Sequence, residues 1–312
     1  MKHILTISIF FCILYFTSCD FVSNKKNEKD AEQVRLDKFS VIQYDPVLVC
    51  DSLSAKVNEQ SGLVWYQDLF WVNNDSDCAA SLYAYNKAGV IKKELAISNF
   101  KNLDWEDVTD DKDYIYIGDF GNNFGVRKNL RVLRIRKSSF SSQDSSSIEA
   151  EEMPLAWADQ DEFVPRKQNH DYDCEAFVAF RDSLYFFSKN WADYKTRMYV
   201  ASKDFKNQSL KVKAEFDADL LITGADLSSD GKVLALIGYK DYRTYVLLFS
   251  SYKGTDFFSG KSLRLDLSSL GGAQTEAIVF DDNDSLYIST EETNIPHAVY
   301  EIEWRKWADI LK

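Results

Sequence analysis

The sequence predicts an all-β protein with the architecture of a β-propeller, most simply one of five blades. A pair of short apolar strands recurs five times along the chain, at intervals of roughly 40–50 residues except for one longer interval, which is typical of propeller blades. Aromatic residues make up 14% of the chain, with 17 Tyr and 21 Phe, and such residues favour strands. Apolar and polar residues alternate at 114–117, 131–136 and 263–267, which indicates half-buried strands.

The five copies align on their first strands, which carry the repeat positions Gly62, Glu106, Glu175, Ala225 and Glu276. Second strands are predicted at 69–74, 114–119, 184–189, 233–238 and 286–291. Third strands are predicted at 81–85, 130–136, 197–201, 245–250 and 298–303, and fourth strands at 90–97, 148–155, 210–216 and 262–267. Each such sheet cannot bury both faces alone, so the blades are expected to stack around a channel.

The fifth unit reaches the end of the sequence after Glu303 without a fourth strand. We expect residues 39–44 to supply it, because a strand from the other terminus closes the ring and removes an exposed sheet edge. A six-bladed ring is the alternative if residues 47–60 form a degenerate unit. The long second interval is explained by a linker at 138–147 and by an excursion of 157–170 over one face. Residues 39–312 are thus expected to form a single domain.

The first 38 residues are not expected to belong to the propeller. Residues 1–18 have a basic start and an apolar run, as in a signal peptide, and small residues precede Cys19 as in a bacterial lipobox. This pattern predicts cleavage before Cys19 and lipid attachment to it; an ordinary secretory signal is the alternative. Residues 19–38 are polar and charged and predict a flexible tether. The expected location is the bacterial cell envelope, lipid-anchored to the outer membrane, with the domain in the periplasm or at the surface.

Charge and cysteine content restrict the classes of partner. The net charge of −12 argues against a nucleic-acid partner, because phosphate binding requires clustered Lys and Arg. Zinc is not supported, since the cysteines are widely spaced and only His170 and His297 lie beyond the predicted signal peptide. A Cys50–Cys78 disulfide and unpaired thiols remain alternatives.

Carboxylates recur at the predicted channel. Glu106, Glu175 and Glu276 share one repeat position, and the alignment places Asp107 and Asp226 at the next. Converging carboxylates repel one another unless a cation, a proton or a basic side chain lies among them. Calcium, which takes 6–8 oxygen ligands in flexible geometry, is the predicted ion. The alternative is that these carboxylates cap strand ends or pair with Lys189 and Arg127.

The ends of the second strands give a further predicted group, for ligand binding: Asn74, Asp119, Lys189 and Glu291. Lys189 is the only cation among them, and it is expected either to hold an anionic ligand group or to neutralise Glu175. Trp191, Tyr194 and Tyr239 follow in the sequence as a candidate stacking wall or as ordinary aromatic residues between blades.

The spaced motifs at 61–76, 104–123, 173–176 and 223–228 resemble those of secreted bacterial propeller proteins, similar to the SdiA-regulated and phytase-like propeller families. The resemblance implies a propeller with a calcium-type central site, at which Glu106, Glu175, Asp226 and Glu276 match. Two classes of function follow. One is an envelope-anchored module that binds a small-molecule, glycan or protein ligand or acts as a scaffold. The other is a metal-dependent hydrolase of a phosphoester, lactone or glycan.

Overall fold

The computed structural model describes residues 40–51, 53–141 and 143–312. The predicted signal peptide, the lipidation site Cys19 and the tether at 19–38 lie outside the described residues, as does Phe39. Within the described ranges, no helix is long and apolar enough to cross a membrane.

Two short strands, β1 (Ser40–Gln43) and β2 (Val47–Cys50), precede five consecutive blades. Blade I contains β3 (Gln60–Tyr66), β4 (Leu69–Asn74), β5 (Ser81–Tyr85) and β6 (Ile91–Ile97). Blade II contains β7 (Trp105–Asp110), β8 (Tyr114–Asp119), β9 (Leu130–Arg136) and, after the short β10 (Ser145–Ile148), β11 (Glu151–Trp157). Blade III contains β12 (Asp173–Phe180), β13 (Ser183–Lys189), β14 (Thr196–Ser202) and, after β15 (Gln208–Leu210), β16 (Val212–Phe216).

Blade IV contains β17 (Leu221–Leu227), β18 (Val233–Lys240), β19 (Arg243–Ser250) and β20 (Lys261–Asp266). Blade V contains β21 (Thr275–Phe280), β22 (Leu286–Thr290) and β23 (Val299–Ile302). Short 3-10 helices lie at Ala55–Val57, Lys137–Ser139, Phe257–Ser259, Ser268–Leu270 and Trp304–Trp307, followed by the terminal helix α1 (Ala308–Leu311). The inner strands of neighbouring blades pack against one another in a closed ring, which confirms the predicted five-bladed propeller.

An N-terminal strand closes the ring, but the prediction that residues 39–44 provide this strand is wrong. The outer strand of blade V is β2, which pairs antiparallel with β23 through Val47 opposite Glu301 and Leu48 opposite Tyr300. The predicted segment 39–44 instead provides β1, which lies outside β20 on blade IV. Because β2 completes blade V, residues 47–60 do not form a sixth blade. The sequence could not distinguish two adjacent strands of similar apolar character.

Extra strands cover the outer edges of two further blades. β10 pairs parallel with β6 of blade I, and β15 pairs parallel with β11 of blade II. Part of the predicted 138–147 linker is therefore a strand, which shields the backbone of an edge that would otherwise be open to another chain.

Every inner strand contains a β-bulge near its start. The ladder shifts register at the same place in all five blades, and the bulged residues are Ser61, Glu106, Glu175, Thr223 and Glu276. A bulged residue is left out of the ladder and its side chain is redirected. The bulge therefore turns three glutamates towards the mouth of the channel, with a hydroxyl side chain in the other two blades.

The blades are joined by apolar packing and by hydrogen bonds between inner strands. Large side chains such as Trp105 and Phe177 are fully buried, and burial of each contributes about 1.5–3 kcal/mol. Thr109 Oγ1 accepts a hydrogen bond from the Ala179 backbone N–H at 3.0 Å, across the boundary between blades II and III. Gly62 allows the closest approach, since a Cβ there would lie 2.3 Å from the Val108 nitrogen.

The predicted excursion at 157–170 packs over one loop of the channel face. Gln160 Nε2 donates to the Gly125 carbonyl at 2.8 Å, and the Gln168 N–H donates to the Asn123 carbonyl at 2.9 Å. Cys50, Cys78 and Cys174 are free thiols, so the Cys50–Cys78 disulfide considered from the sequence does not form.

Candidate functional site

The channel face is the end of the propeller at which the second strand of each blade stops. Glu106 lies there on the bulge of β7, and its side chain is only 4% exposed. Its carboxylate has no hydrogen-bond donor or ion-pair partner among the described residues, whereas the buried Asp119 and Glu175 are each paired with a basic side chain. An ionised carboxylate in such a position is costly unless a cation or a proton compensates its charge.

Glu106 forms a cluster with two further acids, Asp75 and Asp104. One carboxylate oxygen from each of the three residues lies within 4.8 Å of the others. We call these three residues the carboxylate cluster. Asp75 follows β4 of blade I, and Asp104 precedes β7 of blade II, so the cluster spans the boundary between two blades. The Asn102 side chain fixes this arrangement by donating to the Asp75 carbonyl at 2.7 Å.

Gly121 lets the loop after β8 pass directly over the cluster. A Cβ at this position would lie 1.8 Å from Glu106 Oε1 and 2.7 Å from Asp104 Cγ. The Gly121 N–H donates to the Asp104 carbonyl at 3.3 Å, and its own carbonyl accepts from Arg127 Nη1 at 2.8 Å. Any other residue at position 121 would displace the two carboxylates.

The cluster is electrostatically unfavourable when all three acids are ionised. Burial, followed by the neighbouring Glu175, Asp75 and Asp104 charges, raises the pKa of Glu106 well above its usual value. Burial also raises the pKa of Asp104 to about 7, against the opposing effect of Arg127. Arg127 Nη1 is 3.6 Å from Asp104 Oδ2, so the guanidinium compensates part of one charge only.

The cluster fits a hard cation. Three carboxylates in reach of one point provide the oxygen ligands that calcium prefers, and two of them are in loops that tolerate irregular geometry. Neither histidine nor cysteine contributes to the cluster, so the donor set does not resemble that of a structural zinc site.

Glu175, the next bulged glutamate, is neutralised by Lys189. Lys189 Nζ lies 2.5 Å from Glu175 Oε2, and both side chains are about 5% exposed. Burial disfavours the ammonium, but Glu175 together with Tyr239, Glu276 and Asp173 outweighs this effect and holds the pKa of Lys189 well above its usual value. Lys189 Nζ also lies 4.8 Å from the Trp191 ring centroid and 5.2 Å from that of Tyr239. Of the two predicted roles for Lys189, the structure supports neutralisation of Glu175.

Glu276 and Glu291 of blade V lie at the same mouth but outside the carboxylate cluster. Burial raises the pKa of each to about 8, with Lys189 acting in the opposite direction on both. We use the term acidic mouth for the following six residues: Asp75, Asp104, Glu106, Glu175, Glu276 and Glu291.

Asp107 and Asp226 are not equivalent, so the alignment that paired them is wrong. Counted from the bulge of each strand, Asp107 is the first residue, whereas Asp226 is the third and corresponds to Thr109. The carboxylates accept hydrogen bonds from backbone N–H groups of the next blade, Asp107 from Phe177 at 3.1 Å and Asp226 from Phe280 at 2.7 Å. They lie deeper along the inner strands and do not belong to the carboxylate cluster.

The remaining predicted ligand residues differ in their surroundings. Asp119 is fully buried between two guanidinium groups, with Arg127 Nη2 at 2.8 Å and Arg131 Nη2 at 2.7 Å from its oxygens. Asn74 Nδ2 donates to the Lys56 carbonyl at 2.8 Å, while its Oδ1 has no donor in the described part of the chain. Asp119 therefore orients Arg127 rather than facing the channel freely.

Asp75 and Asp104 were not predicted as ligands. Both lie next to predicted strands: Asp75 directly follows the second strand of blade I, and Asp104 directly precedes the first strand of blade II. Because both residues are in loops, an alignment of the repeated strands does not relate their positions to one another. Only the three-dimensional structure shows that they lie close to Glu106.

No family model and no curated protein matches this chain. Several solved structures are similar to this chain. One is a glucose dehydrogenase, with a TM-score of 0.47, 7% identity and coverage of 83% of this chain and 99% of that chain. Another is the aldose sugar dehydrogenase of Escherichia coli, with a TM-score of 0.47, 9% identity and coverage of 82% and 98%. The calcium-binding protein regucalcin of Agrobacterium tumefaciens has a TM-score of 0.44, 10% identity and coverage of 85% and 95%. At these identities the likeness concerns the fold.

Proposed function

We propose that this protein is a calcium-binding propeller module whose cation is held by Asp75, Asp104 and Glu106. The observation that carries the proposal is the buried Glu106 carboxylate, which has no hydrogen-bond donor or ion-pair partner among the described residues and lies within 4.8 Å of two further carboxylates. Burial, with a smaller contribution from neighbouring negative charges, raises the pKa values of all three acids, and a divalent cation would compensate the buried charge.

Calcium is favoured over magnesium because the three ligand residues lie on separate, irregular backbone segments. Asp75 and Asp104 are carried by loops from different blades, and Glu106 by a bulge, so the oxygens are not arranged on one rigid element. Calcium accepts irregular coordination and a larger cavity, whereas magnesium requires a compact octahedron and keeps most of its water.

A binding or scaffold role is favoured over a metal-dependent hydrolase of a phosphoester. A hydrolase of an anionic ester would need a free cationic group beside the metal to hold the substrate. Lys189 is committed to Glu175 at 2.5 Å, and Arg127 and Arg131 are committed to Asp119. The ligand of the module is therefore more consistent with a neutral molecule or a protein surface than with a phosphoester.

The proposal is tested by calcium titration of the purified protein, with thermal melts in chelator and in excess calcium. Calcium should raise the melting temperature, because an ion that binds only the native state stabilises it by mass action. Glu106→Gln removes one ligand oxygen charge and should weaken calcium binding by about tenfold or more, equivalent to about 1.4 kcal/mol.

Glu291→Gln is the matched control for this experiment. It removes one ionisable carboxyl group from the same mouth but no member of the carboxylate cluster, so calcium affinity should change by less than about threefold. Equal losses in the two variants would indicate a general electrostatic effect rather than coordination. Wild-type protein that binds no calcium and melts identically in chelator and in calcium would contradict the proposal.

We also propose that the module is anchored to the bacterial outer membrane through lipid on Cys19, with the propeller in the periplasm or at the cell surface. The apolar run and the small residues before Cys19 support this. Cys19→Ser should move the protein from the membrane fraction to the soluble fraction. Membrane retention of a correctly processed Cys19→Ser variant would contradict the anchor.

A further inference from the structure

A hollow of about 450 Å³ opens on the channel face between blades IV and V. Its lining includes Tyr239, Tyr242, Gly271, Gln274, Thr293 and Asn294, and none of its lining residues carries a formal charge. This is unusual for its position, because Gln274 lies two residues from Glu276 and the acidic mouth is adjacent. This volume lies within the range of pockets that bind small organic molecules.

Tyr242 stands at the rim of the hollow with 86% of its surface exposed. It occupies the second position of the two-residue turn between β18 and β19, the shortest connection between second and third strands in the five blades. Its φ is +61°, and that of Asp241 is +51°, a conformation in which Asn and Gly are the usual residues. Bulky residues seldom adopt positive φ, although Tyr194 and Phe205 also do so in this chain, and the turn itself does not require a tyrosine.

The floor beside Tyr242 carries no side chains. Gly271 and Gly272 have φ values of +66° and +85°, and a Cβ on Gly272 would lie 3.8 Å from the Tyr242 Cβ. A Cβ on Gly271 would meet nothing within 4 Å. The Tyr242 ring has no aromatic, cationic or hydrogen-bond partner in the described part of the chain, so one face of the ring is available above an open floor.

We propose that this hollow is a binding subsite for a neutral carbohydrate. The apolar C–H face of a pyranose ring would stack on Tyr242, while Asn294 and Thr293 would exchange hydrogen bonds with its hydroxyl groups. An anionic ligand is disfavoured by the adjacent acidic mouth, and a cation would find its carboxylate partners there rather than among uncharged lining residues. Tyr239 connects the two regions, since its ring lines the hollow and lies 5.2 Å from Lys189 Nζ. The subsite does not depend on the proposed calcium ion.

The test is binding of the full chain to an array of immobilised neutral oligosaccharides, with uronic-acid, sialylated and sulfated glycans on the same array, in the presence of chelator. We expect binding to at least one neutral glycan. Tyr242→Ala should weaken that binding by about tenfold or more, whereas Tyr242→Phe, which keeps the ring, should stay within about threefold of wild type.

Phe124→Ala is the matched control, because it removes another exposed aromatic ring, 49% accessible, from a loop of the same face. It should leave glycan binding unchanged. The melting temperature of Tyr242→Ala should equal that of wild type, since the ring buries little surface. Four outcomes would each overturn the proposed subsite. Two concern the glycans: no neutral glycan binds, or only acidic glycans bind. The other two are equal affinity of Tyr242→Ala and wild type, and loss of binding in chelator. None of these outcomes bears on whether calcium raises the melting temperature, so the two proposals fail separately.

Discussion

At the scale of the residue, three acids of the channel face show how differently proteins compensate a buried charge. Asp119 is held by two guanidinium groups, and Glu175 by the Lys189 ammonium. Glu106 is buried to the same degree and has no such partner among the described residues. Removing water from a carboxylate costs several kcal/mol unless a partner compensates its charge, so a cation bound beside Glu106 would supply a compensation that no described side chain provides.

The sequence predicted the glutamates at the channel, but it did not predict which residues lie beside them. Glu106, Glu175 and Glu276 recur in the repeat and do share the bulged position. The sequence could not show that the bulges of blades I and IV fall on Ser61 and Thr223, so Asp226 was aligned with Asp107 instead of with Thr109. An inserted residue shifts the inward and outward alternation of a strand, and no periodicity reveals where it occurs.

At the scale of the element, the two N-terminal strands perform different tasks. β2 completes blade V, and its Val49 side chain packs against the apolar cluster between blades V and I. β1 thickens blade IV at its outer edge, where Tyr44 packs edge-on against Trp307 at 5.1 Å and donates its N–H to the Asp266 carbonyl. Ring closure therefore depends on β2, whereas β1 adds contacts to a blade that is already complete.

Three deletions separate these tasks. Deletion of residues 20–36 should leave the free energy of unfolding unchanged, because the sequence of that segment is too polar to bury much surface. Deletion of 20–44 also removes β1 and should lower the free energy of unfolding by about 1–2 kcal/mol. Deletion of 20–50 removes the closing strand as well and should cost about 2–4 kcal/mol more, through lost backbone pairs and apolar contacts. Chemical denaturation measures all three.

The decisive comparison in that series is between the second and third deletions. Each removes one four-residue strand, so a purely additive loss of edge contacts predicts two similar steps. Two equal steps, or a larger step at the deletion of β1, would contradict the assignment of β2 as the element that closes the ring.

At the scale of the whole molecule, the propeller concentrates negative charge at one end of its axis. The chain carries a net charge of −12, and six of its carboxyl groups form the acidic mouth, where Lys189 pairs with Glu175 and Arg127 lies 3.6 Å from Asp104. Desolvation raises the pKa values of Asp104 to about 7 and of Glu276 and Glu291 to about 8. In the absence of a cation, the folded protein therefore retains protons at a pH where the unfolded chain has released them.

This difference predicts an unusual dependence of stability on pH. A carboxyl group whose pKa is raised on folding stabilises the native state below the unfolded value, and that contribution is lost as the pH rises through the folded value. In chelator, the melting temperature should therefore fall by about 5 °C or more between about pH 5.5 and pH 8.5. Groups whose pKa values are lowered on folding, such as Asp111 and Asp230, titrate below this window and do not oppose the trend.

Excess calcium should remove most of that decline, because the cation replaces the protons as the source of positive charge and binds better once the acids have ionised. Glu276→Gln should flatten the chelator profile in part by removing one of the titrating groups, while leaving the calcium effect at about pH 8.5 in place, since Glu276 is outside the carboxylate cluster. Differential scanning calorimetry across the pH range, with chelator and with calcium, gives both profiles. A chelator profile that is flat or rises towards alkaline pH would show that the acidic mouth is already compensated within the folded chain, and would remove the electrostatic reason for a bound cation.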